Sequence, residues 1–272
     1  AVLSVAGGAS AAQAPREVMQ EIVKGLQSPL RTDQMDALRR VPEVSDKGVI
    51  TDFKVRELLL QYATDRAQRS DMRRIAMQSL LALSGKALLD VSIMDNLRLI
   101  VVDKKDAIES RLDAMELMAG MGAGTEDTTN ARDARQKAIT ALLEIANNNA
   151  TEDALRAAAY EAIGAFPGKD ARECLLRGLN APTERARASA LMGLARYIRL
   201  NNINENALGF QIAQAMMKPN VTIGERIGGV ECLAALARNG YPMDNEEVLR
   251  FLFAALARAT APELAETAAI CL

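Results

Sequence analysis

Small and apolar residues recur along this chain at a spacing that belongs to helices. An Arg is followed three positions later by a small residue and seven positions later by an apolar residue, and successive copies start 31 to 45 residues apart. Residues three and seven apart lie on one face of an α-helix, so each copy predicts a helix with a closely packed stripe. The copies are Arg73/Ala76/Leu80, Arg111/Ala114/Met118, Arg156/Ala159/Ile163, Arg187/Ala190/Leu194 and Arg226/Gly229/Leu233.

The distance between copies leaves room for two helices in each repeat. Weaker copies without the Arg, Gln34/Ala37/Val41 and Ala265/Ala268/Leu272, extend the set at both ends. We therefore predict an all-α protein, a right-handed α-solenoid of about seven antiparallel helix pairs over residues 15–272. The second helix of each pair contains one copy of this Arg, small and apolar residue pattern. These second helices are predicted at 32–41, 71–84, 107–121, 152–166, 184–200, 223–239 and 263–272.

Hydroxyl residues and breakers mark the predicted helix ends. Ser or Thr stands just before or at the start of six second helices, where its oxygen can accept from a free N–H of the first turn. These predicted N-caps are Thr32, Ser70, Thr151, Thr183, Thr222 and Thr260. Gly85, Gly122, Gly168 and Gly240 are predicted to close helices, and Pro29, Pro182, Pro219 and Pro262 to lie between them.

Three segments match a known repeat family most closely: DALRAAAYEAIGAF at 153–166, ERARASALMGLARYI at 184–198 and DMRRIAMQSLLALSG at 71–85. Their acid-x-x-Arg-x-x-Ala-x-x-x-Leu pattern resembles the second helix of HEAT repeats, in particular the short bacterial and phycobilisome-lyase-type variety. The resemblance implies an armadillo-like stack of helix hairpins whose second helices line a concave surface that holds protein partners. It carries over no functional residues, because HEAT arrays serve many unrelated processes.

The composition of the chain further limits its fold class and its binding partners. The chain is 49% hydrophobic and 25% charged, which is too apolar for a disordered protein. Aromatic residues make up only 3%, which suits close helix packing better than a β-sandwich. The formal net charge is −2 with acids and bases interspersed, so we expect no nucleic-acid or anionic-membrane surface.

The Arg at the start of each copy has two interpretations. Carboxylates lie near it along the chain: Asp71, Asp113, Glu152, Asp153, Glu184 and Glu225. A guanidinium can fork to a carboxylate or to helix-end carbonyls of the neighbouring repeat and so tie hairpins together. The alternative is a ladder of charges that faces a ligand. We favour the structural interpretation and do not assign these arginines to a site.

Few residues of this chain are candidates for catalysis or metal binding. The chain has no His, the most common general base and metal ligand. Cys174, Cys232 and Cys271 are far apart in apolar helical stretches, which favours buried thiols over a zinc or redox site. Gly164–Lys169 lacks the spacing and the preceding strand of a phosphate loop. We predict no catalytic, cofactor-binding or metal-binding residues, no cofactor, and no enzymatic activity.

Three segments stand apart from the repeats. Residues 120–133, GMGAGTEDTTNARD, predict a loop that is either a tolerated insertion or a partner contact. Residues 1–14, AVLSVAGGASAAQA, are interpreted as the remnant of an export leader or a flexible arm. Export to a periplasm, a lumen or the cell exterior is favoured over the cytoplasm, although three unpaired cysteines fit an oxidising compartment badly. The apolar end 263–272 is expected to continue into further repeats or to pack against a partner or a second copy.

The leading functional hypothesis is a non-catalytic scaffold or structural subunit in a larger assembly. It would present the concave helical surface, the 120–133 loop or the apolar end to protein partners, with self-association as a further option. The alternative is a lyase-like or chaperone-like accessory that handles a cofactor or a client protein. No run of residues reaches the roughly 18 to 20 apolar positions that a membrane span needs.

Overall fold

Every element that the structure describes is an α-helix. The structure is a computed structural model that describes residues 10–45, 53–65, 67–82, 91–122, 128–148, 150–257 and 262–271. The helices within these ranges are α1 Ser10–Leu26, α2 Arg31–Ser45, α3 Phe53–Thr64, α4 Ser70–Ala82, α5 Val91–Val102, α6 Ile108–Gly122, α7 Thr129–Asn147, α8 Asp153–Ile163, α9 Lys169–Gly178, α10 Glu184–Leu200, α11 Asn206–Met216, α12 Ile223–Arg238, α13 Glu246–Ala257 and α14 Pro262–Cys271. They form the predicted seven pairs, in which the odd-numbered helix comes first.

The chain divides into two compact units, which are described separately. Unit 1 contains residues 1–88 and 95–117, and unit 2 contains residues 89–94 and 118–272. In unit 1, α1 packs on α2 and α3 packs on α4, while α2 also contacts α4 and α1 contacts α3. Helix pairs therefore stack side by side, with Leu59 and Met77 fully buried between the layers. The prediction of one solenoid over 15–272 stays a prediction, and α1 begins at Ser10, within the expected leader or arm.

Unit 2 repeats this arrangement. The second helices α8, α10, α12 and α14 contact one another in order, and each lies against its own first helix. The small residues of the repeat pattern form the predicted close contacts, since Ala159 and Ala190 have no exposed surface. Glycines allow the closest approach between α8 and α10, because a Cβ on Gly193 would lie 2.3 Å from the carbonyl oxygen of Tyr160.

The predicted helix starts are confirmed in part. Thr183 and Thr222 are N-caps whose side-chain oxygens accept from Ala186 N and Glu225 N. Thr151 is wrong as a cap, because Glu152 occupies the N-cap of α8 and makes no side-chain capping bond. Thr32 and Ser70 lie inside α2 and α4, and Thr260 falls outside the described residues. Thr128, which was not among the predicted N-caps, caps α7.

Two prolines behave differently from the prediction. Helix α2 was expected to end at Val41, but it continues through Pro42 to Ser45. Pro42 has no N–H to give to the carbonyl of Leu38, and the hydroxyl of Ser79 from α4 donates to that carbonyl at 3.1 Å instead. Pro262 is the first residue of α14 and does not lie between helices. That position suits proline because an N–H there would have no partner within the helix.

Candidate functional site

We call the Arg that starts each copy of the repeat pattern its anchor arginine. The anchor arginines of unit 1, Arg73 and Arg111, are buried. Arg73 is 4% exposed, and its Nη1 donates to Oδ2 of Asp106 at 3.0 Å while its Nη2 bonds the second carboxylate oxygen. Arg111 is 7% exposed and donates from Nε to the carbonyl of Val101 at 2.8 Å. Neither side chain can present its charge to a ligand from these positions.

The expected proximity of Asp71 to Arg73 does not produce an ion pair between them. Asp71 instead accepts from Nη2 of Arg31, which lies one repeat earlier, at 3.1 Å, and from Arg69 at 3.2 Å. Asp106, the observed partner of Arg73, comes just before α6 and was not among the predicted carboxylates. The signal that could have found it is its distance along the chain, 33 residues, which is close to one repeat.

In unit 2, Arg187 makes the most complete connection between repeats. Its Nε and Nη2 donate to the two carboxylate oxygens of Glu225 on α12, at 2.5 and 3.4 Å, and its Nη1 donates to the carbonyl of Ala181 at 3.1 Å. Glu225 is 4% exposed and also accepts from the backbone N–H of Thr222 at 3.0 Å in a capping box. One carboxylate thus joins the start of α12 to the repeat before it.

This arrangement shifts both ionisation equilibria. Burial raises the pKa of Glu225, but the hydrogen bonds from Arg187 and Thr222 outweigh it, and the pKa lies below its ordinary value. The hydrogen bond that Arg187 donates to Glu225 also raises the pKa of Arg187. Both groups are therefore held in their charged forms, as expected of a structural ion pair.

The other two anchor arginines of unit 2 differ from Arg187. Arg156 is 6% exposed and bonds Asp153 of its own helix at 3.2 Å. Arg226 has a buried Nε with no hydrogen-bond partner among the residues that the structure describes. Four of the five anchor arginines thus bond within the protein, and this geometry supports the structural interpretation over a ligand-facing ladder.

Further polar bonds join neighbouring repeats at similar separations along the chain. Arg74 on α4 bonds Asp113 on α6 at 2.8 Å, and Asn239 at the end of α12 donates to the carbonyl of Ile198 on α10 at 2.9 Å. Arg172 on α9 donates to Glu205 ahead of α11 at 3.1 Å. Much of the polar chemistry of the repeats is therefore used to hold the fold together. A binding surface can therefore be formed only by the residues that these bonds leave exposed.

The second helix α10 leaves one such surface in unit 2. Arg185, Met192 and Arg199 are exposed and lie seven residues apart, so they share one face of the helix. We call them the α10 stripe. Met192 is 39% exposed, whereas Leu191, Leu194 and Ile198 of the same helix have no exposed surface.

Charges of both signs surround the centre of the α10 stripe. Glu161 on α8 and Glu231 on α12 occupy the same position as Met192 in their repeats, five residues after the anchor arginine. Glu161 accepts from the hydroxyl of Ser189 at 2.6 Å, and Glu231 lies 3.5 Å from Nη1 of Arg199. Arg185 is exposed, and its charge helps to lower the pKa of Asp153 on α8. The α10 stripe thus offers an apolar centre and an exposed guanidinium.

The three cysteines are buried and unpaired. Burial raises the pKa of Cys174 and Cys232, and it raises the pKa of Cys271 to about 11. Thiols in this state are poor nucleophiles and poor metal ligands. Over the described ranges, no group of three or more Cys, Asp or Glu side chains is placed to hold a metal ion.

Unit 1 contains a small cleft beside the ends of α1 and α3. Its volume is about 200 Å³, and its lining includes Leu26, Gln61, Tyr62 and Asp65. The Tyr62 hydroxyl donates to the carbonyl of Leu26 at 2.7 Å, and Asp65 accepts from the N–H of Ala67 at 2.9 Å. Because these polar groups already have partners, the cleft does not assemble a recognisable catalytic arrangement.

The segments that were singled out outside the repeats are described only in part. Within the predicted 120–133 loop, residues 123–127 lie outside the described residues, while α6 extends to Gly122 and α7 begins at Thr129. Residues 1–9 of the expected leader are likewise not described. At the apolar end, Ala268 and Cys271 are buried in α14, which contacts α12 and α13. Among the described helices, none combines the length and apolar character of a membrane span.

Comparison with known proteins identifies the fold. No protein-family profile matches the chain. No curated protein sequence matches it either. Solved structures do match: an engineered protein superposes with a TM-score of 0.55 at 17% identity, covering 83% of this chain and 98% of its own.

A structure of Kap95p with RanGDP gives a TM-score of 0.58 at 15% identity and covers 94% of this chain. The matched region is 33% of that longer chain, so this chain spans about a third of it. The designed armadillo repeat protein YIII(Dq)4CqI matches at 15% identity with a TM-score of 0.42, covering 95% and 98% of the two chains. The matches to the engineered protein and to Kap95p, together with the stacked helix pairs, confirm the predicted fold class, an armadillo/HEAT-like α-solenoid.

Proposed function

We propose that this protein is a non-catalytic interaction scaffold that binds a segment of a partner protein on the second-helix surface of unit 2. The observation that carries the proposal is the exposure of Met192 at the centre of the α10 stripe. Its position in the repeat holds Glu161 in α8 and Glu231 in α12. A methionine at such a position costs solvation that a polar residue would avoid, and it gains contact area if a partner covers it.

The residues of the α10 stripe suit a protein interface. Methionine and arginine are enriched where proteins meet, because both offer apolar contact area and Arg adds directional hydrogen bonds. Helices α8 and α12 contact α10 on its two sides, which keeps the stripe on a fixed support. A protein of similar fold also acts by binding another protein: binding of Kap95p induces the switch loops of RanGDP to adopt the GTP-bound conformation.

The alternative of a lyase-like or chaperone-like accessory stays a prediction. It was suggested by the resemblance to short HEAT repeats, and no observation on the described residues favours it. The buried thiols and the small cleft of unit 1 supply no cofactor attachment point. Export of the protein also stays a prediction.

The test compares the α10 stripe with an exposed position on another helix layer. A photo-crosslinking residue is placed at position 185 of the α10 stripe or at the exposed position 136 of α7, and crosslinked proteins are identified from cells of the source organism by mass spectrometry. We expect a specific partner at position 185, its loss by roughly tenfold or more when Met192→Glu is added, and full recovery when the control Gln136→Glu is added instead. Equal crosslinking at both positions, or unchanged recovery in Met192→Glu, would contradict the proposal.

A further inference from the structure

A single side-chain amide joins the ends of α10 and α12. Nδ2 of Asn239, the residue directly after α12, donates to the carbonyl of Ile198 at 2.9 Å and to the carbonyl of Ile203 at 3.0 Å. Ile198 belongs to the last turn of α10, and Ile203 follows that helix. Because the last carbonyls of a helix have no partner within it, the amide of Asn239 completes the C-terminal end of the preceding second helix.

Asn239 is also followed by a glycine, and Asn239–Gly240 is the only Asn-Gly pair in the chain. Asparagine is chemically labile in such a pair, because glycine has no Cβ to hinder attack by its backbone nitrogen on Cγ of the asparagine. A bond forms between that nitrogen and Cγ, and Nδ2 leaves as ammonia with the proton that the nitrogen gives up. Water then opens the succinimide ring at either of its C–N bonds, which yields aspartate or isoaspartate.

The folded chain holds this pair away from the reactive geometry. The ψ angle of Asn239 is 9°, which turns the nitrogen of Gly240 toward the backbone nitrogen of Asn239 and away from Cβ and Cγ. Gly240 has a φ of 85°, and its N–H donates to the carbonyl of Ala237 at 2.9 Å. The N–H of Tyr241 donates to the carbonyl of Leu236 at 3.0 Å and completes the closure of the helix. The attack therefore requires that the end of α12 first opens.

From these contacts we infer that Asn239 is a deamidation site that the folded chain suppresses, and that modification there permanently removes the polar link between α10 and α12. An ionised aspartate has acceptors only, so it cannot donate to the carbonyls of Ile198 and Ile203. At this half-buried position its charge would lie beside two carbonyl oxygens, which is unfavourable. A chain that has opened and reacted thus refolds with a weaker stack of second helices.

Ageing of the purified full chain tests the reaction. The chain is kept at mildly alkaline pH, either folded or unfolded in guanidinium chloride, and its tryptic peptides are analysed by mass spectrometry. Cleavage after Arg238 and Arg250 releases NGYPMDNEEVLR, in which Asn245 precedes a glutamate and is the internal control. We expect Asn239 to react well ahead of Asn245 in the unfolded chain. In the folded chain Asn239 should react more slowly by roughly tenfold or more, because only opened molecules react.

Gly240→Ala is the control for the mechanism. In the unfolded chain the added methyl group should slow the deamidation of Asn239 by roughly tenfold or more, because it hinders the attacking nitrogen. An Asn239 that stays intact in the unfolded wild type overturns the inference. Equal rates in the folded and unfolded chains, or an unfolded Gly240→Ala that reacts as fast as the wild type, also overturn it.

Asn239→Asp tests the consequence of the modification. Urea unfolding should show that this substitution lowers the equilibrium constant for folding by roughly tenfold or more. Asn201→Asp is the matched control, since Asn201 directly follows α10 but its Nδ2 donates at 2.9 Å to the carbonyl of Tyr197 in its own helix. Both variants place a negative charge at a helix C-terminus, and only Asn239→Asp breaks a bond between repeats. Equal losses in the two variants would contradict the inferred link. None of these outcomes bears on partner binding at Met192, which is tested separately.

Discussion

The second and first helices of unit 2 differ in how much of their surface the fold itself uses. Helix α10 buries nine of its 17 residues and α12 nine of 16, whereas α9 buries four of ten and α13 four of 12. The reason is position: α10 contacts α8, α9 and α12, while α13 contacts α11 and α14. A second helix in the middle of the unit, such as α10 or α12, thus lies against two other second helices and its own first helix.

This difference explains why the repeat pattern is visible on one layer only. A helix enclosed on several sides accepts only small residues where it approaches its neighbours most closely, and only buried polar groups that find partners, so its sequence is constrained in every repeat. A first helix has fewer contacts and its outer face can change with function. The two layers should therefore respond very differently to the same substitution, and the following predictions test that difference.

The largest effect is expected from Ala190→Arg on α10. Ala190 has no exposed surface, and a Cβ at Gly178 of α9 would lie only 2.6 Å from its side chain. An arginine there has to separate two helices and buries a charge, which should lower the free energy of unfolding by roughly 3 to 5 kcal/mol. Urea unfolding followed by circular dichroism measures the change.

The matched control is Gln214→Arg, which introduces the same side chain on the exposed face of α11. It should change the free energy of unfolding by no more than about 0.5 kcal/mol, since a surface position imposes neither overpacking nor burial of charge. Comparable losses in the two variants would mean that the layers do not differ as the burial pattern indicates.

Helix ends were predicted correctly where the local capping residues and the repeat pattern indicate the same boundaries. Helix α10 was predicted with both ends correct, because Thr183 caps it and the small-residue stripe runs along its length. Helix α2 was predicted too short, because the group that serves the carbonyl freed by Pro42 is the Ser79 hydroxyl, more than 30 residues away in another helix. A local pattern contains no information about that donor.

The candidate sites were less predictable than the fold. The resemblance to HEAT repeats pointed to the second helices as a class, but the exposure of Met192 depends on α8 and α12 flanking α10. Placing Glu161, Met192 and Glu231 at one repeat position would have identified the centre of the α10 stripe from the sequence. The role of Asn239 as a link had no such signal, because the carbonyls to which it donates lie in another repeat.

An intermediate effect is expected from Glu225→Gln, which breaks the connection between α10 and α12. Removing the charge leaves Arg187 without its ionised partner and weakens the capping box of Thr222, at a cost of roughly 1 to 3 kcal/mol at neutral pH. Arg199→Gln is the comparison for a more exposed pair, since Arg199 is 40% exposed and 3.5 Å from Glu231. It should cost less than about 1 kcal/mol.

The pH dependence of Glu225→Gln follows from the pKa of the carboxyl. Because the folded-state pKa of Glu225 is below its ordinary value of 4.5, ionised Glu225 stabilises the folded wild type fully above that value. This contribution is lost as the pH falls through the folded-state pKa. The deficit of the variant should therefore shrink on acidification, as measured by urea unfolding at a series of pH values. A deficit that stays constant down to acid unfolding would show that the charge of Glu225 is not responsible.

The smallest effect is expected from Thr183→Ala at the start of α10. The Thr183 side-chain oxygen accepts from the N–H of Ala186 at 3.2 Å and its hydroxyl donates to Asp153 on α8, so one side chain caps a second helix and ties it to the preceding one. Loss of the cap should cost about 1 kcal/mol, and Thr183→Ser, which keeps the hydroxyl, should recover most of it. The hydrogen bond from Thr183 is also the main reason that the pKa of Asp153 lies below its ordinary value, although burial acts against it. Nuclear magnetic resonance titration should therefore show the pKa of Asp153 rising in Thr183→Ala and returning in Thr183→Ser. If stability falls while this pKa stays unchanged, the cap alone stabilises α10 and the bond to the neighbouring second helix adds nothing.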